Sequence, residues 1–292
     1  MPQLAQMQKM LPSLGVPREE IVFISGIGCS SRFPYYMNTY GFHSIHGRAP
    51  TIATGLKLTR PELMIFVITG DGDALSIGGN HFLHIMRRNV DLNVILFNNQ
   101  IYGLTKGQYS PTSEVGKTTK SSPMGAIEAP LNPISLALTA GATFVARTFD
   151  TDPNHLITTL ERAAHHKGVA FVEILQNCIV YNDEVFEEFT AKTNAAGHQL
   201  WLENGKPMLF AGGSKGIAID HMTLTPIVVD VVDGDWEGAG VIVHDVTNRT
   251  VAHMLVELPF GEFPMALGVL YDDPKPTFED AVVGQNESAS RG

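Results

Sequence analysis

The sequence predicts an α/β fold in which a mostly parallel sheet lies between layers of helices. The prediction rests on short apolar runs, on helical spacing between them, and on an apolar content that can build a core. Hydrophobic residues make up 44% of the 292 residues and charged residues 17%, so burial can offset the entropy of ordering the chain. This length suits one large domain or two ordinary ones.

Five apolar runs rich in β-branched residues have the length and character of strands that are buried on both faces, which is typical of parallel sheets. The runs are residues 21–27, 63–69, 92–97, 142–146 and 169–175. Residues 79–88 and 153–166 carry apolar side chains at helical spacing between these runs. The alternation of strand and helix predicts βαβ units.

Charge divides the chain near residue 182. Residues 1–180 hold 14 basic and 12 acidic side chains, whereas residues 181–292 hold six basic and 18 acidic ones. The break predicts a cofactor-binding domain over residues 1–182 and a smaller acidic extension over residues 183–292, with a flexible tail from about residue 274.

The extension has a looser pattern, in which residues 227–232 and 240–243 are predicted strands and residues 250–258 a short helix. In the first part, residues 103–133 are rich in Gly, Ser, Thr, Pro and Lys. This segment is too long for an ordinary connection, and it is therefore predicted to be a functional loop over a site.

Composition excludes several classes of function. The net charge of −10 argues against a nucleic-acid partner. The longest apolar runs are only strand-length, so we expect no membrane segment, and we identify no secretion signal. Two cysteines exclude a disulfide framework, and free thiols suit the cytoplasm, where we expect the protein.

The sharpest motif is Gly-Asp-Gly-Asp at residues 70–73, directly after a predicted strand and shortly before a predicted helix. A glycine-rich turn before a helix presents backbone N–H groups that suit a phosphate. Asp71 would repel a phosphate unless a divalent cation lay between them, and Mg²⁺ takes about six oxygen ligands from protein, phosphate and water.

A pair of asparagines completes the predicted site. Asn98 and Asn99 end the next strand, and Asn99 lies 28 residues after Asp71, about one βαβ unit. Both strand ends would therefore meet at the carboxyl edge of the sheet, where open α/β sheets bind ligands. The Asn99 amide and the backbone carbonyl of Ile101 could add neutral oxygens to the metal.

A Gly-Asp-Gly tripeptide alone is weak support, because it also forms ordinary tight turns. A similar acidic turn at residues 233–235 follows another apolar run, yet no Asn-Asn pair lies at the matching distance. The selective signal is the combination of strand, Gly-Asp-Gly, helix, strand and Asn-Asn in one unit.

This combination is typical of thiamine-diphosphate enzymes, and the wider sequence resembles the β subunit of 2-oxoacid:ferredoxin oxidoreductases, most closely the 2-oxoglutarate type. The resemblance covers about residues 8–270 and is dense through residues 21–182. Four segments carry it: residues 24–32 (ISGIGCSSR), 40–48 (YGFHSIHGR), 98–108 (NNQIYGLTKGQ) and 173–178 (EILQNC).

The resemblance implies a role for individual residues. It implies that Asp71, Asn99 and the carbonyl of Ile101 bind Mg²⁺, and that Lys106 handles coenzyme A or the acyl intermediate. It also implies that nine residues contact thiamine diphosphate: Ile27, Gly28, Cys29, Ser30, His46, Gly72, Asp73, Gly103 and Leu104.

The resemblance also implies a reaction and partners. In that family the cofactor attacks the 2-oxoacid, CO₂ leaves, electrons pass through an iron–sulfur cluster to ferredoxin, and coenzyme A takes the acyl group. An α subunit supplies the glutamate that activates the cofactor. We therefore expect a heterodimer or higher hetero-oligomer, and a β chain that is inactive alone.

The chain departs from the family at its iron–sulfur ligands. A [4Fe–4S] cluster needs four thiolates, and the family takes two of them from an N-terminal Cys-x-x-Cys. Here only Cys29 and Cys178 match, which is a partial ligand set. Either the N-terminus is truncated or the cluster is lost; we favour truncation, and we expect no stable four-iron cluster on this chain as it stands.

Three alternatives stay open at this point. One is pyruvate, or a broad range of 2-oxoacids, as the substrate. Another is a non-catalytic, cofactor-binding subunit that lacks the cluster. A third, a thiamine-dependent decarboxylase or carboligase, is disfavoured because those enzymes usually carry both cofactor domains on one longer chain.

Overall fold

The computed structural model describes residues 2–291, and its main body is a parallel sheet. The eleven strands are β1 (Ile21–Ser25), β2 (Tyr40–His43), β3 (Met64–Gly70), β4 (Leu92–Asn98), β5 (Phe144–Phe149), β6 (Val169–Leu175), β7 (Gln199–Leu202), β8 (Leu209–Phe210), β9 (Lys215–Ile219), β10 (Pro226–Asp230) and β11 (Met265–Asp272). The helices are α1 (Pro2–Met10), α2 (Ala49–Thr59), α3 (Gly79–Arg88), α4 (Pro133–Ala140), α5 (Pro153–His165), α6 (Glu187–Thr190), α7 (Ala195–His198), α8 (Arg249–Glu257) and α9 (Phe278–Ser290).

The large sheet has eight strands in the order β2-β1-β3-β4-β6-β5-β11-β7. Neighbouring strands pair in parallel, except that β11 runs antiparallel to β5. The predicted mostly parallel sheet is thereby confirmed. All residues of β1, β4, β5 and β6 are buried, which explains why these strands are apolar without alternation.

Helices cover both faces of this sheet. Successive side chains of a strand point to opposite faces: Ile24 packs into the core beneath α2, α3, α4 and α8, whereas Phe23 packs into the core beneath α1 and α5. Phe23 stacks on Phe66 of the neighbouring strand, with ring centroids 5.0 Å apart. The amphipathic pattern of α3 buries Phe82, Ile85 and Met86, as its spacing predicts.

The second part of the chain extends the first. Strands β7 and β11 add to the edge of the large sheet, while β8, β9 and β10 form a separate antiparallel sheet. The predicted strand at residues 240–243 makes only isolated bridges, from Val241 to Ala218 and from Val243 to Pro207, because its residues bridge two different segments in turn. A domain boundary at residue 182 stays a proposal.

The polar segment after residue 274 contains helix α9. The Thr277 side chain caps its first turn, and Glu279, which is 2% exposed, accepts a hydrogen bond from the backbone N–H of Asp91. Asn89 also donates to the backbone carbonyl of Lys275 at 3.0 Å. These contacts fix the start of the helix, whereas flexibility of the tail beyond them stays a prediction.

No helix within residues 2–291 combines the length and the apolar character needed to cross a bilayer.

Candidate cofactor site

A cleft of about 80 Å³ opens at the carboxyl ends of β1, β3 and β4. The chain leaves β1 toward β2 on one side and later returns as β3 on the other, so this is the crevice where open α/β sheets bind ligands. The lining residues are Ile27, Gly28, Cys29, Ser30, His46, Gly70, Asp71, Gly72, Asp73, Phe97, Asn99, Ile101, Tyr102, Gly103, Leu104, Thr105 and Gln176.

The structure therefore brings together nearly all of the residues that the sequence analysis selects. The three predicted metal ligands and all nine predicted thiamine contacts line this one cleft. Lys106 and Cys178 do not line it. The location of these residues in one cleft supports the prediction that they form one site. The role of each residue stays a prediction.

Asp73 organises the turns around the cleft. One carboxylate oxygen accepts the backbone N–H groups of Ile27, at 3.0 Å, and Gly47, at 2.7 Å. The other accepts the hydroxyl of Thr69 at 2.7 Å. Both oxygens are thus engaged, and a diphosphate contact by Asp73 would have to use its backbone. This side chain ties three segments of the chain together.

His46 lies beside this organising carboxylate. Its Nδ1 atom is 2.9 Å from Asp73 Oδ1 but has no aligned hydrogen bond within the described residues. The side chain remains 39% exposed, so it lies at the mouth of the cleft, within reach of a ligand.

Asp71 is buried and is held by a distant loop. It is 4% exposed, and its Oδ2 atom accepts hydrogen bonds from Ser110, at 2.6 Å, and Thr112, at 2.7 Å. Burial raises the pKa of Asp71 to about 6, although both hydroxyls act in the opposite direction. A divalent cation beside this carboxylate would favour its ionised form.

Ser110 and Thr112 were not found by sequence reasoning. They belong to the loop over residues 103–132, which contains no helix or strand and was predicted only as a functional loop. The available signal was Ser-Pro-Thr-Ser at residues 110–113, a cluster of hydroxyls with no partner in the local sequence.

A buried polar chain continues from Asp71 beneath the loop. Thr112 lies 3.0 Å from Asn98 Oδ1, and the Asn98 amide donates to Glu173 at 2.8 Å. Arg147 Nε donates to the other oxygen of Glu173 at 2.7 Å. Asn98 thus links the loop to Glu173 by hydrogen bonds, whereas the next residue, Asn99, lines the cleft.

The Asn98–Asn99 turn has an unusual backbone. Gln100 adopts a φ of 53°, and the Asn99 side-chain oxygen accepts the N–H of Ile101 at 3.2 Å. Asn182 donates to the backbone carbonyl of Asn99 at 2.9 Å. This turn directs Asn99 and Ile101 toward the same cleft as Asp71.

Two glycines are required by close approach. A Cβ at Gly26 would overlap with the Asp73 carboxylate, and a Cβ at Gly72 would overlap with the ring of Tyr102. Tyr102 in turn donates its hydroxyl to the carbonyl of Gly72 at 3.1 Å. The Gly-Asp-Gly turn therefore has no room for a side chain in its third position.

The chemistry of the cleft fits a diphosphate with a divalent cation. Among the described lining residues there is no Lys or Arg, so a bound diphosphate would need a cation for charge balance. Asp71, Asn99 and the Ile101 carbonyl supply oxygen donors of the kind that Mg²⁺ prefers. The buried hydroxyl of Ser30 has no partner among the described residues, as a ligand contact would require.

Lys106 lies outside the cleft, on a tight turn. Tyr102 and Gln108 form a single bridge, and Lys106 sits between them, exposed, with a φ of 77°. The role that the family resemblance implies for Lys106, in handling coenzyme A or the acyl intermediate, stays a prediction.

The two cysteines flank Gly103. A Cβ on Gly103 would lie 3.5 Å from the sulfur of Cys29 and 3.7 Å from that of Cys178. Desolvation and the neighbouring Cys178 raise the pKa of the Cys29 thiol. Within residues 2–291 no three His, Cys, Asp or Glu side chains form a metal-binding group, so the residues present do not fit a four-iron cluster.

Residues 26–174 match the family model for the C-terminal thiamine-pyrophosphate-binding domain of thiamine pyrophosphate enzymes. The match begins directly after β1 and ends in β6, so it contains every residue that lines the cleft except Gln176.

Relatives of known name share most of the chain. The 2-oxoglutarate oxidoreductase subunit KorB of Mycobacterium tuberculosis is 49% identical over 97% of this chain and 75% of its own length. The 2-oxoacid:ferredoxin oxidoreductase 1 subunit beta of Aeropyrum pernix is 47% identical over 64% of this chain. The aligned part is 58% of that archaeal relative.

A solved structure agrees with these relatives. It is the 2-oxoglutarate:ferredoxin oxidoreductase from Magnetococcus marinus with 2-oxoglutarate, coenzyme A and succinyl-CoA bound. The TM-score is 0.78 and the identity 32%, and the match covers 99% of this chain and 84% of that one. The chain therefore belongs to the thiamine-pyrophosphate-binding β subunits of the 2-oxoacid:ferredoxin oxidoreductase family.

Proposed function

We propose that this chain is the catalytic β subunit for oxidative decarboxylation of 2-oxoglutarate to succinyl-CoA, or for the reverse, CO₂-fixing reaction. In this proposal ferredoxin carries the electrons, coenzyme A accepts the acyl group, and an α subunit completes the enzyme in the cytoplasm. The names of the Mycobacterium tuberculosis relative and of the solved structure support 2-oxoglutarate as the substrate.

One observation carries the proposal. Asp71, Asn99 and Ile101 come from two neighbouring strand ends, and all three line the cleft where the thiamine-binding family model matches. When bound there, thiamine diphosphate supplies a carbon nucleophile that adds to the 2-oxo group and lets CO₂ leave.

The chain's own residues would bind and orient this group. Asp71, Asn99 and the carbonyl of Ile101 would hold Mg²⁺, while the Ser30 hydroxyl and the backbone at Gly72 would face the diphosphate. Leu104, which is 55% exposed at the rim, would cover the bound cofactor and exclude water from it.

The test is Mg²⁺-dependent binding of thiamine diphosphate to the chain co-expressed with its α partner, measured by calorimetry. We expect Asp71→Asn to weaken binding by about 100-fold or more, since even residues behind a metal ligand contribute 10- to 100-fold to metal affinity. Asp233→Asn is the matched control, because Asp233 is an exposed aspartate in a similar turn. Equal affinities for the two variants would refute the proposal.

A second candidate, a cofactor-binding subunit without electron transfer, is favoured by the cysteine count. The sequence holds two cysteines, whereas a [4Fe–4S] cluster needs four thiolates. Anaerobic reconstitution of the complex, followed by iron analysis and EPR, separates the candidates. Four irons per β chain with a reducible signal would support the catalytic subunit and would overturn the expectation that this chain as it stands holds no stable four-iron cluster.

The choice of substrate needs its own measurement. Ferredoxin reduction with 2-oxoglutarate and with pyruvate, at equal concentrations, decides between the proposed substrate and the alternative. If kcat/KM is higher for pyruvate than for 2-oxoglutarate, pyruvate becomes the proposed substrate.

A further inference from the structure

A second cavity, of about 430 Å³, lies beside the cofactor cleft. It opens between the loop that precedes α4, the end of α8 and the start of β11, and Asn98 and Thr112 lie on its wall toward the cleft. A cavity of this volume is large enough for a small organic ligand. None of the roles proposed for the thiamine site uses it.

A buried arginine lies in this cavity. Arg147, on β5, is 9% exposed and lines the cavity. Its Nε atom donates to Glu173, but within residues 2–291 its two Nη atoms donate to no protein acceptor. The Nη atoms are not among the fully buried polar atoms that lack a partner, so they face the open space of the cavity, where a ligand could accept their hydrogen bonds.

Glu173 does not supply a further acceptor, because no Nη atom of Arg147 donates to it within residues 2–291. Its two oxygens already accept from Arg147 Nε and from the Asn98 amide, and its side chain is 1% exposed. The unused face of the arginine is therefore available to a group inside the cavity. A carboxylate matches the paired N–H donors of a guanidinium better than a single-point acceptor does.

The walls of the cavity are apolar. Phe186, Phe189, Leu255 and Val256 line it and are each at most 7% exposed. Burial of hydrocarbon against such walls contributes about 25 cal/mol per Å². The walls therefore select a ligand whose body is aliphatic or aromatic.

The rim of the cavity is acidic. Glu114 and Glu188 both line its opening and are exposed. Their charges would repel a second negative charge on the ligand, and Arg147, which already pairs with Glu173 and would bind the first carboxylate, could not also balance a second one. The rim thus disfavours dicarboxylates and phosphates relative to a ligand with a single carboxylate.

We propose that this cavity binds a small ligand with one carboxylate and an apolar body. The carboxylate accepts hydrogen bonds from the Nη atoms of Arg147, and the hydrocarbon part packs between the phenylalanines and Leu255. The proposal does not depend on the assignment of the thiamine site.

The first test uses hexanoate as the probe, titrated into the full chain by ligand-observed NMR. We expect saturable binding that is at least tenfold tighter than that of hexan-1-ol, and weaker binding of adipate and inorganic phosphate. Equal affinity for hexanoate and hexan-1-ol, or no saturable binding of hexanoate, would overturn the proposal.

The second test places the ligand. Arg147→Lys keeps a positive charge beside Glu173 but loses the paired donors, so hexanoate should bind about tenfold more weakly. Glu188→Gln, on the exposed rim, should strengthen adipate binding about two- to threefold, while Glu187→Gln, its neighbour outside the cavity, should not change it. Should Arg147→Lys fail to fold, the comparison of adipate binding by Glu188→Gln and Glu187→Gln replaces it. Unchanged adipate affinity in Glu188→Gln would then overturn the proposal.

Discussion

Two turns of this protein share the same residue types and differ in almost every contact. In the turn at residues 70–73, Asp71 and Asp73 are 4% and 3% exposed, and all of the hydrogen-bond donors to their side chains except Thr69 come from residues far away in the sequence. In the turn at residues 233–235 the aspartates are exposed, and among the described residues the Asp235 side chain accepts only the N–H of Gly238, three residues later.

The difference lies in the strands that precede the turns. β3 is a buried interior strand with parallel neighbours on both sides, so its end meets other strand ends and a loop. β10 is an edge strand of a small antiparallel sheet, so its end meets water. A Gly-Asp turn can form a binding site when other strand ends and a loop pack against it. Matched substitutions in the two turns test this explanation.

The largest expected effect is that of Asp73→Ala. It leaves the buried N–H groups of Ile27 and Gly47 and the Thr69 hydroxyl without their acceptor, and each such loss costs about 1–3 kcal/mol. We expect the free energy of unfolding to fall by about 3 kcal/mol or more, measured by urea denaturation.

Asp235→Ala is the matched control for that substitution. It removes one exposed turn contact and should cost about 1 kcal/mol or less. A cost for Asp235→Ala as large as that for Asp73→Ala would mean that the two turns are energetically alike.

The next effect is that of Gly72→Ala. The new Cβ must displace the ring of Tyr102, and such overpacking costs about 1–3 kcal/mol. Because Tyr102 lines the cleft, we expect weaker binding of thiamine diphosphate by calorimetry. Gly234→Ala also strains a residue, at a φ of 77°, but it should leave binding unchanged, and a change there would contradict the comparison.

The smallest effect is that of Thr112→Val. It removes one of the two hydroxyls that hold Asp71, and loss of such a supporting contact weakens metal binding by about tenfold. The measurement is a Mg²⁺ titration at fixed thiamine diphosphate. Thr112→Ser keeps the hydroxyl and should restore affinity, whereas equal weakening by Ser and Val would show that the contact with Asp71 is not the cause.

Much of the fold could be predicted from local pattern. Unbroken apolar runs predict the buried strands, and apolar residues at helical spacing predict α3. Both patterns can be recognised from residues that are close together in the sequence. Asp71 and Asn99 could be selected for the same reason, since each directly follows a strand whose position the pattern predicts.

Other parts could not be predicted, because their partners are distant. Nothing near Ser110 or Thr112 indicates that they hold a carboxylate some 40 residues earlier in the chain. Likewise, no local pattern shows that β11 pairs with β5, or that Leu104 and Thr105 line the cleft whereas the next residue, Lys106, does not.

By itself, the sequence determined the buried strands β1, β3, β4, β5 and β6, the Gly-Asp-Gly turn and the family to which this chain belongs, because these depend on residue types at fixed spacing. Only the tertiary structure decided which carboxylates are buried and braced, and which remain in water. Burial and hydrogen bonding depend on segments that are distant in the sequence but adjacent in space. Which segments are adjacent is set by the order and packing of the strands in the whole sheet.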